Sequence, residues 1–305
     1  MQFNTRLLTH KFEYLAPETL TEALDLLNQY QAHHIKVLAG GTDLLVKMKT
    51  IDMEVDYLLY IKGIKELNFV DTAAGLSIGA IIPYSRLLKE DKIKTKYTAL
   101  YEGIQAIAAP AIRNMGTIAG NIGNASPAAD TVPPLIAFGA EVQIENKQGK
   151  RTILLENLFT GPGKTVLKPD ELITRITVPE VKPQTGSAFI KKSRVKADLA
   201  KINLAVSLTR NGQNCEDCKI VFGSVAATAV RAPRTEKLLE GHSMTEELFI
   251  QAAKSVANEI KPIDDIRSTA EYRILMSQEM LYDALKLAWG RTYSQNESDP
   301  KNGGE

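Results

Sequence analysis

The sequence predicts an α+β protein with more than one domain. Helical and strand-like segments alternate over residues 17–61, and two hairpin-like strand pairs follow. Beyond a cluster of breakers at Pro179, Pro183 and Gly186, a block of strands precedes a block of helices. Strands and helices segregated in this way are typical of α+β folds. The length of 305 residues also favours two or three domains over one.

The first elements are a helix and two short strands. Thr19 can cap the helix, because Glu22 follows three residues later as a capping box requires. Apolar residues then recur at helical spacing over residues 20–27. Short apolar runs at 35–39 and 57–61 predict buried strands, and the first of them ends in a glycine pair.

The middle of the chain alternates hairpins, helices and a glycine-rich loop. Turn residues between short apolar runs predict each hairpin. Pro110 is expected to interrupt the helical pattern over 98–109. The predicted elements are a hairpin over 67–70 and 76–78, a helix over 98–109, a loop over 114–124, a helix over 133–138 and a hairpin over 141–145 and 151–155.

The last third predicts three strands and then helices. The strands cover 188–191, 201–209 and 219–226, and helical patterns continue over 234–289. The polar tail from Ser294 to Glu305 contains two glycines and is predicted to be disordered.

Composition narrows the class of protein. The net charge is +1, from 37 basic and 36 acidic residues, which provides no electrostatic reason to expect nucleic acid or an anionic membrane as partner. No secretory signal and no membrane-spanning run is found in the sequence. With two cysteines, a disulfide framework is excluded, and a reducing cytoplasm is the expected location.

The cysteines and histidines do not predict a metal site. Cys215 and Cys218 form a C-x-x-C pair without further ligands, in a stretch that resembles a hairpin turn. The four histidines lack metal-binding spacing and are interpreted as surface residues.

Two glycine-bearing segments carry the functional prediction. Glycine after a buried strand lets backbone N–H groups approach a phosphate, and threonine or asparagine side chains add donors. Either segment alone is also compatible with a plain turn. Together they predict a site that holds a dinucleotide diphosphate from two sides. The first segment is Val37, Leu38, Ala39, Gly40, Gly41, Thr42, Asp43 and Leu44; the second is Thr117, Ile118, Ala119, Gly120 and Asn121.

Two other nucleotide-binding motifs are absent. The G-x-G-x-x-G spacing of the Rossmann fold does not occur. Residues 161–165 imitate the end of a P-loop, but Leu158 stands where the motif requires its first glycine. The interpretation of 161–165 is therefore a turn shaped by glycine and proline.

An ordered set of motifs resembles the medium-subunit FAD domain of molybdenum hydroxylases, the xanthine dehydrogenase family. Each motif is weak alone, but the set is specific, and the resemblance covers about Phe12 to Trp289. The motifs are AGGTDLL over 39–45, RNMGTIAGN over 113–121, NASPAAD over 124–130, GSVA over 223–226, Arg231, and LLEG over 238–241.

The resemblance implies a fold and a domain division. The fold would be that of the vanillyl-alcohol-oxidase group of flavoproteins. An FAD-binding domain of two subdomains, split near 60, would cover 1–180. A C-terminal domain of the CO dehydrogenase flavoprotein type, of sheet plus helices, would cover 186–290, followed by a tail over 291–305.

The resemblance also implies the cofactor residues. Both glycine segments would cradle the diphosphate of noncovalent FAD. Asp130 falls at an acidic FAD-binding position, Ile173 at an apolar position near the flavin, and Lys191 near a position that contacts the cofactor. Asp130 could instead cap a helix, and Lys191 could be a solvated strand lysine. No residue is assigned a catalytic or metal-binding role.

The function implied is that of an oxidoreductase subunit. FAD on this chain would receive electrons from [2Fe–2S] clusters on a small subunit and pass them to an acceptor. A large subunit would carry the molybdenum cofactor, and the assembly would be a dimer of heterotrimers. The alternative is a self-contained FAD-dependent oxidase or dehydrogenase of the same fold.

Overall fold

The computed structural model describes residues 8, 10–51 and 53–293. The strands are β1 (Glu13–Leu15), β2 (Ile35–Leu38), β3 (Tyr57–Tyr60), β4 (Val70–Asp71), β5 (Leu76–Gly79), β6 (Glu141–Asn146), β7 (Gly149–Leu154), β8 (Phe159–Gly161), β9 (Lys164–Thr165), β10 (Leu172–Val178), β11 (Thr185–Lys192), β12 (Ile202–Asn211), β13 (Asn214–Gly223) and β14 (Val230–Arg231). The helices are α1 (Leu20–Tyr30), α2 (Leu44–Thr50), α3 (Tyr84–Leu87), α4 (Asp91–Lys96), α5 (Thr98–Gln105), α6 (Pro110–Met115), α7 (Ile118–Asn124), α8 (Val132–Ala137), α9 (Pro233–Leu239), α10 (Glu246–Ser255) and α11 (Ala270–Gly290). The mixture of helices and strands confirms the predicted α+β class.

The described residues form two compact units that do not follow chain order. The first unit comprises the described residues up to Lys89, with Ala109–Ser126 and Ala140–Val178. The second comprises Glu90–Ala108, Pro127–Gly139 and the described residues from Pro179 onward. The predicted division at 180–186 follows chain order, so it does not anticipate the two segments, 90–108 and 127–139, that the second unit takes from the first half of the chain.

A small parallel sheet in the first unit presents the first glycine segment. Its order is β1-β3-β2, and both neighbours run parallel to β3, whose Leu58 and Leu59 are buried. The apolar runs at 35–39 and 57–61 therefore form the predicted strands. In β2, the predicted burial is confirmed only at Leu38, since Lys36 is exposed and Ile35 and Val37 are half-buried. Because β2 ends at Leu38, the glycine pair follows one residue beyond its carboxyl end.

Helix α1 begins as the sequence predicts, with one difference. The Thr19 hydroxyl accepts a hydrogen bond from the Glu22 amide at 3.2 Å, which confirms Thr19 as the cap. The Glu22 carboxylate accepts from the amide of Glu18 at 2.9 Å, one residue before the position that a capping box uses. The acidic side chain still satisfies an amide at the helix entrance.

The first unit also contains a five-stranded antiparallel sheet. Its order is β4-β5-β10-β6-β7, so both predicted hairpins lie in one sheet and are confirmed. The central strand β10 shifts register against β6 between Ile173 and Arg175. An irregularity of this kind re-aims side chains, and it lies beside the predicted cofactor residue Ile173.

The predicted loop over 114–124 is wrong, because most of it is helical. Pro110 occupies the first turn of α6, where its missing N–H removes no hydrogen bond, so it starts this helix. The Thr117 hydroxyl then accepts from the Gly120 amide at 3.0 Å and caps α7. The glycine content that predicted a loop instead leaves Gly120 and Gly123 of α7 without side chains.

The second unit is an antiparallel sheet packed with helices. The order is β11-β12-β13-β14, and nine of the ten residues of β12 are buried. Helix α8 contacts β12 and β13, and α11 contacts β11 and β12. Threonine caps at Thr245 and Thr269 divide the predicted helical stretch over 234–289 into separate helices. The predicted tail over 294–305 lies outside the described residues.

The cysteine pair belongs to the core of the second unit. The hairpin turn is formed by Gly212 and Gln213, so the expectation that Cys215 and Cys218 lie in the turn is wrong. Both cysteines lie on β13 and are fully buried among apolar side chains. Burial raises the pKa of Cys218 well above its ordinary value, because a thiolate loses its hydration there.

Candidate functional site

A cavity of about 390 Å³ lies in the first unit and brings both glycine segments together. Every residue of 37–44 lines it, and so does Ile173 from β10. From the second segment, the lining residues are Thr117, Ala119, Gly120 and Asn121. Ile118 is fully buried and packs into the core instead. Two segments that are far apart in sequence therefore meet at one cavity.

The first segment packs against the backbone just before the second segment. A Cβ at Gly40 would lie 2.3 Å from the Met115 carbonyl oxygen and 2.7 Å from the Gly116 Cα. Gly41 has a φ of +72°, a conformation that side-chain-bearing residues rarely adopt. Both glycines are therefore required by the local geometry, for different reasons.

The second segment presents its backbone to open space. A Cβ at Gly120 would meet only the Thr117 hydroxyl, at 2.9 Å, and a Cβ at Gly123 would meet nothing within 4 Å. Both glycines line the cavity. A ligand can thus approach the backbone where a larger residue would place a side chain.

Sequence reasoning missed several cavity residues. Lys47 lies one helical turn beyond Asp43, so the helix that follows the glycine pair could have indicated it. Asn124 lies three residues beyond the second segment, and Glu171 lies two residues before Ile173, whereas Tyr84 and Gly163 have no local signal. The missed lining residues include Lys47, Tyr84, Asn124, Gly163 and Glu171.

A bidentate ion pair supports the wall that carries Ile173. The Glu171 side chain is 5% exposed and accepts from Arg151 Nε at 2.9 Å and Nη2 at 2.8 Å. The Lys168 amide donates to the same carboxylate at 2.9 Å. The Arg151 hydrogen bonds lower the pKa of Glu171, so the carboxylate is held ionised in this wall.

Asp130 and Lys191 lie in the second unit and form a buried pair. The Lys191 ammonium donates to Asp130 Oδ2 at 2.7 Å and to the Ala106 carbonyl at 3.0 Å. The Asn203 amide donates to Asp130 Oδ1 at 2.8 Å. Burial raises the pKa of Asp130, whereas Lys191 and Asn203 act in the opposite direction. Lys191 is not a solvated lysine, since its side chain is 7% exposed. The cap position of α8 is taken by Thr131, and the Asp130 carboxylate accepts from Lys191 and Asn203 instead.

The described residues contain neither a candidate membrane-spanning helix nor a candidate metal site. No helix in this part of the chain is long and apolar enough to cross a membrane. Among the same residues, no group of three or more histidine, cysteine, aspartate or glutamate side chains is arranged to hold a metal ion.

Two family models cover most of the chain. Residues 10–181 match the FAD binding domain in molybdopterin dehydrogenase, and residues 187–288 match the CO dehydrogenase flavoprotein C-terminal domain. The chain is 33% identical over 264 residues to the glyceraldehyde dehydrogenase medium chain of Sulfolobus acidocaldarius, covering 86% of this chain and 93% of that one. It is 28% identical to the xanthine dehydrogenase FAD-binding subunit of Escherichia coli O157:H7, covering 91% of this chain and 97% of that one.

Solved structures show the same similarity. Carbon monoxide dehydrogenase from Hydrogenophaga pseudoflava matches with a TM-score of 0.89 and 32% identity, over 93% of this chain and 99% of that one. Quinoline 2-oxidoreductase from Pseudomonas putida 86 matches with a TM-score of 0.87 and 25% identity, over 93% and 99% of the two chains. Fold, motifs and sequence agree over nearly the whole length, and the chain therefore belongs to the family of FAD-binding medium subunits of molybdenum hydroxylases.

Proposed function

We propose that this chain binds FAD noncovalently in the cavity of its first unit. The observation that carries the proposal is the meeting of both glycine segments at one cavity, with open space above Gly120 and Gly123. A volume of about 390 Å³ is within the range of small-molecule sites. The residues present therefore fit the diphosphate portion of a dinucleotide.

The chain's own residues would bind and orient the cofactor. The glycine segments would let the diphosphate approach their backbone, and Thr42 and Thr117 would offer hydroxyl donors. FAD supplies the redox chemistry when bound, and the protein supplies binding, orientation and electrostatics. No side chain is assigned as general acid or base.

We also propose that Asp130 and Lys191 contact the cofactor. Their assignment is supported by the family resemblance, whereas that of Ile173 is supported by the resemblance and by its place in the cavity lining. The same resemblance supports a vanillyl-alcohol-oxidase-like fold, with an FAD-binding domain over 1–180 and a C-terminal domain over 186–290. The ranges of the two matching family models, 10–181 and 187–288, support this division.

We further propose that the chain transfers electrons within a larger assembly. A small subunit with [2Fe–2S] clusters would deliver electrons to the FAD on this chain, and a large subunit would hold the molybdenum cofactor. Two copies of each chain would form a dimer of heterotrimers. Support comes from the relatives, which are named as medium chains or FAD-binding subunits of dehydrogenases.

Three experiments test the proposal. Acid precipitation of the yellow protein should release all flavin to the supernatant, and flavin that stays with the pellet would contradict noncovalent binding. The recombinant chain, reconstituted with FAD and free of other subunits, should not hydroxylate aldehydes or heterocycles. Hydroxylation by that preparation would favour a self-contained oxidase. Purification from the native host should yield two further polypeptides in fixed ratio, and recovery of the chain alone would count against the assembly.

A further inference from the structure

A lysine lies where the two glycine segments meet. Lys47 is on α2, one turn beyond Asp43, and its side chain lines the cavity. Its ammonium donates to Asn124 Oδ1 at 2.5 Å, and the Asn124 amide donates to Asp43 Oδ1 at 3.2 Å. Asn124 is the last residue of α7, so this chain of contacts connects α2, which follows the glycine pair, with α7, which contains most of the second segment.

The charged side chains around the cavity indicate a role for the Lys47 ammonium. Among the described residues that line it, the acidic side chains are Asp43 and Glu171, and the cationic ones are Lys36 and Lys47. Arg151 neutralises the charge of Glu171 through an ion pair. The Asp43 carboxylate instead accepts a hydrogen bond from the neutral Asn124 amide. An anionic diphosphate beside Asp43 therefore requires a nearby cation, and the Lys47 ammonium is positioned beside the same asparagine.

We propose that Lys47 binds the diphosphate of the cofactor and makes the site prefer a flavin dinucleotide over unphosphorylated riboflavin. This inference rests on the proposed function, since it assigns the ligand of the same cavity. A lysine acts as a point charge on phosphate and does not require bidentate geometry. The glycine segments supply close approach, and Lys47 supplies the charge.

A purely structural role makes different predictions. If Lys47 only connects α2 to α7, its removal should lower the melting temperature and lower the affinities for FAD and riboflavin equally. If it binds the diphosphate, its removal should lower the affinity for FAD alone. That loss should depend on salt, because charges in a partly exposed site are screened.

The experiment uses the full chain, stripped of flavin and titrated with FAD or riboflavin at low and high salt. Lys47→Met removes the charge, Lys47→Gln removes it but keeps a donor for Asn124, and Lys47→Arg keeps it. Lys49→Met is the matched control, because Lys49 is exposed on the same helix and does not line the cavity. Melting temperatures of all variants identify any that fail to fold, and Lys47→Gln then replaces Lys47→Met.

We expect Lys47→Met and Lys47→Gln to lower the affinity for FAD by about 10- to 100-fold at low salt. This is the effect expected from the loss of one charge-assisted hydrogen bond. Riboflavin affinity should stay unchanged, and Lys47→Arg and Lys49→Met should stay within about twofold of the wild type for both ligands. FAD affinity unchanged in Lys47→Gln, or an equal loss of both ligands, overturns the inference and leaves the proposed function intact. A wild-type chain that binds no FAD overturns the proposed function, and the inference with it.

Discussion

The Cβ position of Gly40 lies 2.3 Å from the carbonyl oxygen of Met115, so the first glycine segment packs against the backbone that leads into the second. A side chain at this point would force two parts of the chain apart. Met115 ends α6 and lies two residues before Thr117, the cap of α7. The shape of the cavity therefore depends on one missing methyl group as well as on the residues that line it.

Gly40→Ala should therefore damage both stability and binding. The added methyl group meets backbone atoms, which cannot rotate away as a side chain does, so the segments must shift. We expect a loss of about 1–3 kcal/mol in the free energy of unfolding, the usual range for overpacking, together with loss of FAD. Urea denaturation and flavin content measure the two effects. Gly63→Ala is the control, because its Cβ would meet nothing within 4 Å; equal stability of the two variants would refute the contact.

Gly120→Val should separate binding from stability. Its Cβ would meet only the Thr117 hydroxyl, at 2.9 Å, and beyond it the side chain enters the cavity. Displacing that hydroxyl costs at most the cap of α7, about 0.5–2 kcal/mol. We therefore expect flavin content to fall to near zero, with a loss of stability no larger than this relative to Gly290→Val, a helical control whose Cβ meets no other atom within 4 Å. Full flavin occupancy in Gly120→Val would show that the diphosphate lies elsewhere.

Gly41→Val should lose stability for a different reason from Gly120→Val, namely backbone strain. Its φ of +72° is strained for any residue with a Cβ, at about 1–2 kcal/mol. We therefore expect lower stability as well as lost flavin, visible as a reduced urea midpoint. An unchanged midpoint would mean that the backbone at Gly41 can relax to a negative φ.

Local patterns predicted the elements whose signals are local. The run at 35–39, its glycine pair and both hairpins were identified because apolar periodicity and turn residues act over a few positions. The start of α7 was missed for the same reason. Glycine content indicated a loop, whereas the Thr117 hydroxyl and the Gly120 amide form a cap that favours the helix.

The candidate site was predictable only in part. Its two glycine segments have recognisable spacing, but the bond between Lys47 and Asn124 joins residues 77 positions apart. The same holds for Arg151 on β7, which donates to Glu171, 20 residues later in the chain. Such partners are selected by tertiary packing, and a single sequence contains no periodicity that pairs them.

The Arg151–Glu171 pair should make part of the stability depend on pH. The folded pKa of Glu171 is lowered, mainly by the Arg151 hydrogen bonds, from an ordinary value of 4.5. Its contribution is therefore present above pH 4.5 and is lost as pH falls towards the lowered folded value. We expect Glu171→Gln to be about 1–2 kcal/mol less stable than the wild type at pH 7, and the difference to shrink below pH 4.5. Glu141→Gln, exposed on β6, is the control, and a difference that does not change with pH would contradict the ion pair.

The buried pair of Asp130 and Lys191 permits a double-mutant test. Lys191→Met leaves a buried carboxylate without its cation, so we expect a loss of about 3–5 kcal/mol at pH 7. The loss should be smaller at acid pH: burial already raises the folded pKa of Asp130, and its stability contribution declines as pH rises through that value. Asp130→Asn combined with Lys191→Met should recover most of the stability, because no uncompensated charge remains.

Flavin content of the same double variant tests the proposed cofactor role. If Asp130 and Lys191 only stabilise the second unit, the double variant should fold and retain FAD. If they contact the cofactor, it should fold and lose FAD, because the carboxylate and the ammonium are both gone. Urea denaturation and absorbance of the bound flavin, measured on one preparation, distinguish the two results. Retention of full FAD by a stable double variant would remove both residues from the cofactor site and leave the glycine segments as its defining part.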